Sequence, residues 1–348
     1  MNQDALEFLT CPHCRAELRV VAKQVAGNDI RSGELHCVSG CGSYPIEQGV
    51  PRLLPELASR TQLVGEYQEH ARRSFGAQWE MYEYGNTTWG VTLDDRIRVV
   101  LHELCWSESD LMGKAILDAG CGNGTLSKAL ADRGATVVAL DLSESVFRAE
   151  EYCRSPRLHF VQGNLFFPPL KTNAFDAIYS CGVFHHTPGT RRCFDALAPT
   201  MRQDNAARYF VWLYAKRSWL FNVTVEPLMR VTRRTPSSLL VRTCQVLSPL
   251  VEASSRLLTA LGVVEDAPRN LRDRALQLHD LLSPPFVWYH SFEEARHWAV
   301  QQGFRSVTRT PYGVTGDDPN KLQEALHKYR RVCRPGFGML CRDREAGR

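Results

Sequence analysis

Ile116-Leu117-Asp118-Ala119-Gly120-Cys121-Gly122-Asn123-Gly124 decides the fold. An apolar run ends in an acid, and three glycines then follow at alternate positions. Nothing bulky fits where a backbone must turn sharply off a strand and press against a ligand. A dinucleotide fingerprint reads G-x-G-x-x-G and cradles a pyrophosphate at a helix N-terminus. Here the third glycine comes one residue early, and Asp118 stands two residues before the first. The spacing points to a nucleoside ligand without a pyrophosphate.

From Lys114 the pattern is strand–helix alternation, which implies a parallel sheet. Strands are expected at Ala115–Ala119, Thr136–Leu140 running into Asp141, Leu158–Val161, Phe175–Ser180 and Tyr209–Tyr214, with a helix at Leu126–Arg133. Residues 217–285 break the alternation: they are helical and arginine-rich, and Thr235-Pro236 offers an N-cap and a first-turn proline. Alternation resumes with a helix Ser291–Gln302, opened by the capping box Ser291-Phe292-Glu293-Glu294 and ended by Gly303. Strands at Ser306–Arg309 and Gly338–Cys341 close the sheet. Upstream, residues 58–110 read as mostly helical. Phe75, Trp79 and Tyr82 share one helix face there, as core or as a lid over the ligand. The resulting division is 1–57, 58–110, 111–216, 217–285 and 286–348.

A chain of 348 residues buries a large core and accommodates one large domain plus a small one. Its net charge of +4 neither demands nucleic acid nor excludes it. The first ten residues lack an apolar signal-peptide core, and no uncharged stretch approaches the roughly 18 residues of a membrane helix. A soluble cytoplasmic protein with no membrane partner is expected. In that setting twelve cysteines argue for reduced thiols and metal ligands rather than disulfides. Cys11 and Cys14 form a C-x-x-C knuckle, and Cys37 and Cys41 a C-x3-C knuckle. Four thiolates suit a closed, structural tetrahedral zinc site, and so small a segment needs such a staple. His13 and His36 are alternative ligands, and ordinary buried cysteines the plain alternative.

Leu9-Thr10-Cys11-Pro12-His13-Cys14, Tyr44-Pro45-Ile46 and Gly49-Val50-Pro51-Arg52-Leu53-Leu54-Pro55 resemble the zinc ribbon of tRNA-methyltransferase activator subunits. A similar ribbon precedes some ribosomal-RNA guanine methyltransferases. The glycine stretch, Val138-Ala139-Leu140-Asp141-Leu142-Ser143 and Phe175-Asp176-Ala177-Ile178-Tyr179-Ser180 together resemble class I S-adenosylmethionine methyltransferases. That resemblance implies an α/β fold with a Rossmann-like seven-stranded sheet. It places Gly120, Cys121, Gly122, Asn123 and Gly124 against the cofactor, with Asp118 orienting the loop or meeting the cofactor's ammonium. Asp141 would accept both ribose hydroxyls, its plain alternative being a cap for the next helix. Many relatives have Asp where this chain has Asn164, whose amide would accept from the adenine amino group. Leu142 and Leu165 would flank the adenine, with Ser180 ending the fourth strand. Relatives often carry a Pro-Gly-Gly turn where this chain reads Arg202-Gln203-Asp204-Asn205.

In this fold the loop after the fourth strand faces the reactive methyl, and here it contains His185-His186. A base is needed only for an acceptor that keeps its proton near neutral pH, and histidine suits that task. His279, Tyr289 and His290, where the helical block rejoins the fold, are further catalytic candidates, with Tyr214 also plausible. Holding a loop or filling the core is the plain alternative for each. The favoured reading is methyl transfer to oxygen or nitrogen of a small molecule, with residues 217–285 roofing the acceptor site. RNA methylation is the second, supported by the ribbon and by the basic runs at 230–234 and 328–331. A non-catalytic binder is the third. The helical block is also a possible homodimer face.

Overall fold

The computed structural model describes residues 1–55, 76, 87–88, 91–217, 219–233, 235–262, 270–310 and 336–345. Phe75, Trp79, Tyr82 and the 328–331 basic run lie outside these residues.

The polypeptide begins with four antiparallel strands, β1 (Leu18–Ala26), β2 (Asp29–Cys37), β3 (Ser43–Glu47) and β4 (Val50–Leu53). A two-residue hairpin follows, β5 (Thr87–Thr88) with β6 (Val91–Thr92). Helix α1 (Leu93–Leu104) starts where the Thr92 hydroxyl accepts from the Asp95 amide. Alternation then begins: β7 (Ala115–Ala119), α2 (Thr125–Asp132), β8 (Thr136–Asp141), α3 (Ser145–Tyr152), β9 (Leu158–Gly163), β10 (Ala177–Cys181), α4 (Thr190–Leu197) and β11 (Arg208–Tyr214). Helices α5 (Trp219–Thr232), α6 (Ser237–Ala260) and α7 (Leu271–Leu282) precede α8 (Phe292–Gln301), β12 (Phe304–Thr310) and β13 (Gly336–Arg344).

The central part of the sheet runs β9-β8-β7-β10-β11-β13-β12, its strands all pointing the same way except β13, which runs opposite to the rest. These are the seven expected strands. The full sheet has eleven, because β4 pairs in parallel with β9 (Arg52 with Gln162, Leu53 with Gly163) and brings β1–β3 with it. The small N-terminal ribbon thus forms one edge of the main sheet. Pairing satisfies the backbone groups that an open β9 edge would leave bare. Side chains lock the junction. Phe8 stacks on Phe175 at 5.4 Å, and Arg15 Nη1 donates to the Leu170 carbonyl at 3.1 Å. Burying one such phenyl ring contributes about 2 kcal/mol.

Two apolar layers sandwich the sheet. One, around Leu117, Val138, Phe175, Tyr209 and Met339, is continuous with ribbon residues Phe8, Leu35 and Ile46. The other lies under α1, α2 and α3 around Ile116, Val137, Phe160 and Phe210.

Local sequence explains most boundaries. Ser291 caps α8 by accepting from the Glu294 amide, and Gly303 ends the helix at φ +86°. Pro236 is not the first-turn proline expected: it occupies the N-cap with ψ 135°, and α6 starts one residue later. The turn at Arg202–Asn205 closes without Pro-Gly-Gly. Arg202 Nη1 donates to Asp176 at 2.8 Å, the Gln203 amide donates to the Asn173 side chain, and the Ala206 amide to Asp204. Asp176 also accepts from the Ala115 amide at 2.8 Å, so one buried carboxylate ties β10 to the start of β7.

Candidate functional site

A glycine cradle forms where β7 gives way to α2. Gly120, Gly122 and Gly124 take φ of +89°, +57° and +72°, a region L side chains avoid. Space is also short: a Cβ on Gly120 would lie 2.3 Å from Val183 Cγ2, and one on Gly124 2.6 Å from the Phe160 ring. The loop is tied to the end of β8. Asp141 Oδ2 accepts from the Gly122 amide at 2.9 Å, and its Oδ1 from the Ser143 amide and hydroxyl at 2.8 and 2.7 Å. The carboxylate therefore holds both the glycine loop and the turn after β8, at the sheet's C-terminal edge. Each oxygen keeps lone-pair capacity beyond these bonds.

Asp118 is buried and accepts from the Ser127 hydroxyl on α2 at 2.6 Å. Burial first, with the nearby Asp141 charge adding, pushes its carboxyl up to about 6, against the Ser127 hydrogen bond and Arg96. Cys121, Leu165 and Ser180 are buried and Leu142 is half-buried; the Ser180 hydroxyl donates to the Ala119 carbonyl at 2.7 Å.

At Asn164, Oδ1 accepts from the Phe166 amide at 2.9 Å and keeps a second lone pair, and Nδ2 is a buried donor with no protein partner. The Asn123 side chain is arranged alike: Oδ1 accepts from Thr125, and Nδ2 is buried without a partner. Leaving such donors unsatisfied is costly, so they mark places where a polar ligand completes the structure. Tight glycines, a strand-end carboxylate and two orphaned amides fit an adenosyl group.

The ribbon reaches this cradle. Arg52 Nε donates to Gln162 Oε1 at 2.8 Å, and Gln162 Nε2 donates to the Leu142 carbonyl at 3.1 Å. Gln162 is fully buried. Their pairing was not legible in the sequence, since 110 positions separate them. The same holds for Ser127, Phe160 and the buried Glu103, which accepts from the Tyr179 hydroxyl at 2.8 Å.

A second group forms beside the cradle. Val183, against Gly120, leads into a single 3-10 turn, Phe184–His186. The His185 ring stacks on Tyr214 at the end of β11, centroids 4.0 Å apart, and neither of its nitrogens has a hydrogen-bond partner. Burial first, then neighbouring His186, His290 and Arg217, holds its pKa well below the ordinary 6.5. His186 Nδ1 lies 3.2 Å from the Phe286 carbonyl, and burial lowers its pKa also. Both rings are therefore neutral at physiological pH. The Tyr214 hydroxyl donates to Asp280 on α7 at 3.2 Å, and Tyr289 stacks on Tyr214 at 6.1 Å. Arg217 lies over both tyrosine rings, 5.5 and 5.6 Å from their centroids. Backbone bonds fix the wall: the Trp288 amide donates to the His185 carbonyl and the His290 amide to the Tyr214 carbonyl, each at 2.9 Å.

The remaining candidates separate. Both ring nitrogens of His290 are engaged, Nε2 by Thr190 at 3.0 Å and Nδ1 by Glu294 at 3.1 Å. His279 is fully buried on α7, and burial pushes its pKa down to about 4. Among the described residues no hydrogen bond or ring contact joins it to His185.

In the ribbon, the Sγ atoms of Cys11, Cys14, Cys37 and Cys41 lie within 4.8 Å of one another. Thiolates around tetrahedral zinc, with Zn–S near 2.3 Å, sit about 3.8 Å apart, so the set fits that ion. His36 is bound to Glu34 instead.

Residues 116–204 match the methyltransferase-domain family, and residues 3–49 match the Trm112p-like family. The chain thus carries a class I S-adenosylmethionine methyltransferase domain behind a Trm112p-like zinc ribbon. A sterol 24-C-methyltransferase of Gibberella zeae is 26% identical over 170 residues, 45% of this chain and 45% of that protein. A ubiquinone biosynthesis O-methyltransferase of Idiomarina loihiensis is 28% identical over 123 residues, 32% of this chain and 48% of that protein. The chain spans about half the length of these curated relatives. Among solved structures, a magnesium protoporphyrin IX methyltransferase from Synechocystis PCC 6803 with bound SAH aligns at TM-score 0.42 and 16% identity, covering 80% of this chain and 97% of that one. No helix among the described residues is long and apolar enough to cross a membrane.

Proposed function

We propose that this joined ribbon and domain methylates an oxygen or nitrogen of a compact, partly apolar small molecule. When bound, S-adenosylmethionine supplies an electrophilic methyl. The protein's part is to hold the cofactor, place the acceptor and take a proton. Asp141 accepts from the ribose hydroxyls with its remaining lone pairs. The Nδ2 groups of Asn164 and Asn123 donate to the cofactor, Leu142 and Leu165 flank the adenine, and Asp118 fixes the loop through Ser127.

The observation that carries the reading is His185: a neutral imidazole with both nitrogens unpartnered, on the turn that touches Gly120. It takes the proton that an acceptor hydroxyl or amine loses as its bond to carbon forms. Tyr214 and Tyr289 wall the acceptor, and α5–α7 exclude water above it. His186 holds the loop, and His290, with both nitrogens committed, positions α8. His279 receives no chemical role. The relatives named for sterol and ubiquinone chemistry support a small apolar acceptor.

The test uses the full chain with S-adenosylmethionine labelled in its methyl group, offered an organic extract of cells or total RNA. Label is expected in the organic extract. Label in RNA alone would replace this reading with the RNA one that the ribbon favours. Tight cofactor binding with no transfer to either pool would leave a binding protein.

A further inference from the structure

The helical block between β11 and α8 leaves one large surface uncovered. On α6, Leu239, Val246, Leu250, Leu257 and, just beyond it, Leu261 are spaced by seven, four, seven and four residues. At about 100° per residue these positions fall within an arc of about 60°. All five point outward, Val246 at 74%, Leu250 at 69% and Leu261 at 66% exposure. The opposite face packs on α7 through Leu240, Cys244 and Ala275. Val231 at the end of α5 is also exposed, at 68%. Scattered apolar residues on a surface need no explanation, but a stripe about 33 Å long along one helix does.

Charge decides what covers it. The only acid in α6 is Glu252, which is buried and bonded to Arg274 at 2.7 Å and Arg256 at 2.6 Å. The helix's other charges are Arg242 and Arg256, both exposed on one flank of the stripe. Among the described residues of α6 the exposed charges beside the apolar face are cationic, which suits the headgroup boundary of an anionic bilayer. Pairing with a second copy through α6 would bring no free acid to Arg242, since Glu252 is buried and already held by Arg256 and Arg274. Pro249 does not interrupt the helix: the Gln245 carbonyl that it frees accepts from the Ser248 hydroxyl at 2.9 Å.

We infer that α6 lies flat on an anionic lipid surface and seats the protein there without spanning it. That no described helix spans a bilayer does not bear on this, since an interfacial helix buries one face only. Helix α7 connects the two regions, since α6 packs on one side of it and its Asp280 receives the Tyr214 hydroxyl. The acceptor wall is therefore one helix layer from the proposed membrane face.

The inference stands apart from methyl transfer and is tested without it. The full chain is sedimented with vesicles of phosphatidylcholine, alone or mixed with phosphatidylglycerol. Binding is expected to the mixed vesicles only, weakening as salt is raised. The triple variant Val246→Glu, Leu250→Glu, Leu257→Glu should lose at least about 100-fold in vesicle affinity while keeping cofactor affinity. Arg242→Glu, which leaves the stripe intact, should lose several-fold. Wild-type protein that stays in solution with both vesicle types would overturn the inference. So would a dimer in sedimentation velocity that the triple variant dissolves.

Discussion

The glycine cradle and the proposed acceptor wall share one edge of one sheet and are built by opposite rules. In the cradle the backbone is the working part: three glycines at positive φ, pinned by Asp141 and by Val183 and Phe160. Change there is met by clash. In the wall the side chains are the working part: stacked rings carry an imidazole that bonds to nothing. Change there leaves the packing intact and removes a chemical group. Affinity and chemistry should therefore separate by region, with cradle variants failing to bind and wall variants binding without turning over.

His185→Gln is expected to lower turnover by about 10²–10⁴-fold with cofactor affinity unchanged in calorimetry. Gly120→Ala should do the reverse. Its methyl meets Val183 at a backbone angle alanine resists, costing about 3 kcal/mol, or roughly 100-fold in affinity. Equal losses of affinity in both variants would erase the distinction. Metal removal probes the link between ribbon and cradle. A chelator should unfold the ribbon and free the Arg52–Gln162–Leu142 relay. Losing one hydrogen bond of about 1 kcal/mol weakens cofactor binding about fivefold. Unchanged affinity in the chelated protein would show the cradle to be independent of the ribbon.

The smallest effect concerns pH. Burial raises the Glu103 carboxyl from its ordinary 4.5 to about 8. The folded state keeps a proton that the unfolded chain releases earlier. This stabilising contribution is complete below about pH 4.5 and is lost as pH rises through about 8. Glu103→Gln should flatten that part of the stability curve. A slope identical to wild type in denaturant titrations at several pH values would show that the carboxyl is not buried as described.

Features set by short spacings were legible. The glycine loop, the C-x-x-C and C-x3-C spacings and the Ser291 cap of α8 each lie within a few residues, and the acids at 118 and 141 stand out at strand ends. Two features needed the fold. The Asn164 oxygen accepts from the Phe166 amide two residues on, and its Nδ2 is left as a buried donor. The ribbon joins the main sheet because β4 finds an open edge at β9. In each case a polar backbone group needed a partner, and the nearest available one decided the outcome.

By itself the amino-acid sequence determined where the strands of the main sheet lie along the chain, the glycine loop after β7 and the four cysteines of the ribbon. Each follows from local periodicity or from residues that only one backbone geometry tolerates. Tertiary structure alone decided that the ribbon extends the main sheet, that Arg52 reaches Leu142 through Gln162, and that His185 rather than His290 keeps its nitrogens open. It also decided which side of α6 faces outward. These outcomes depend on which unsatisfied groups and apolar faces meet when distant segments pack, and no local pattern records that.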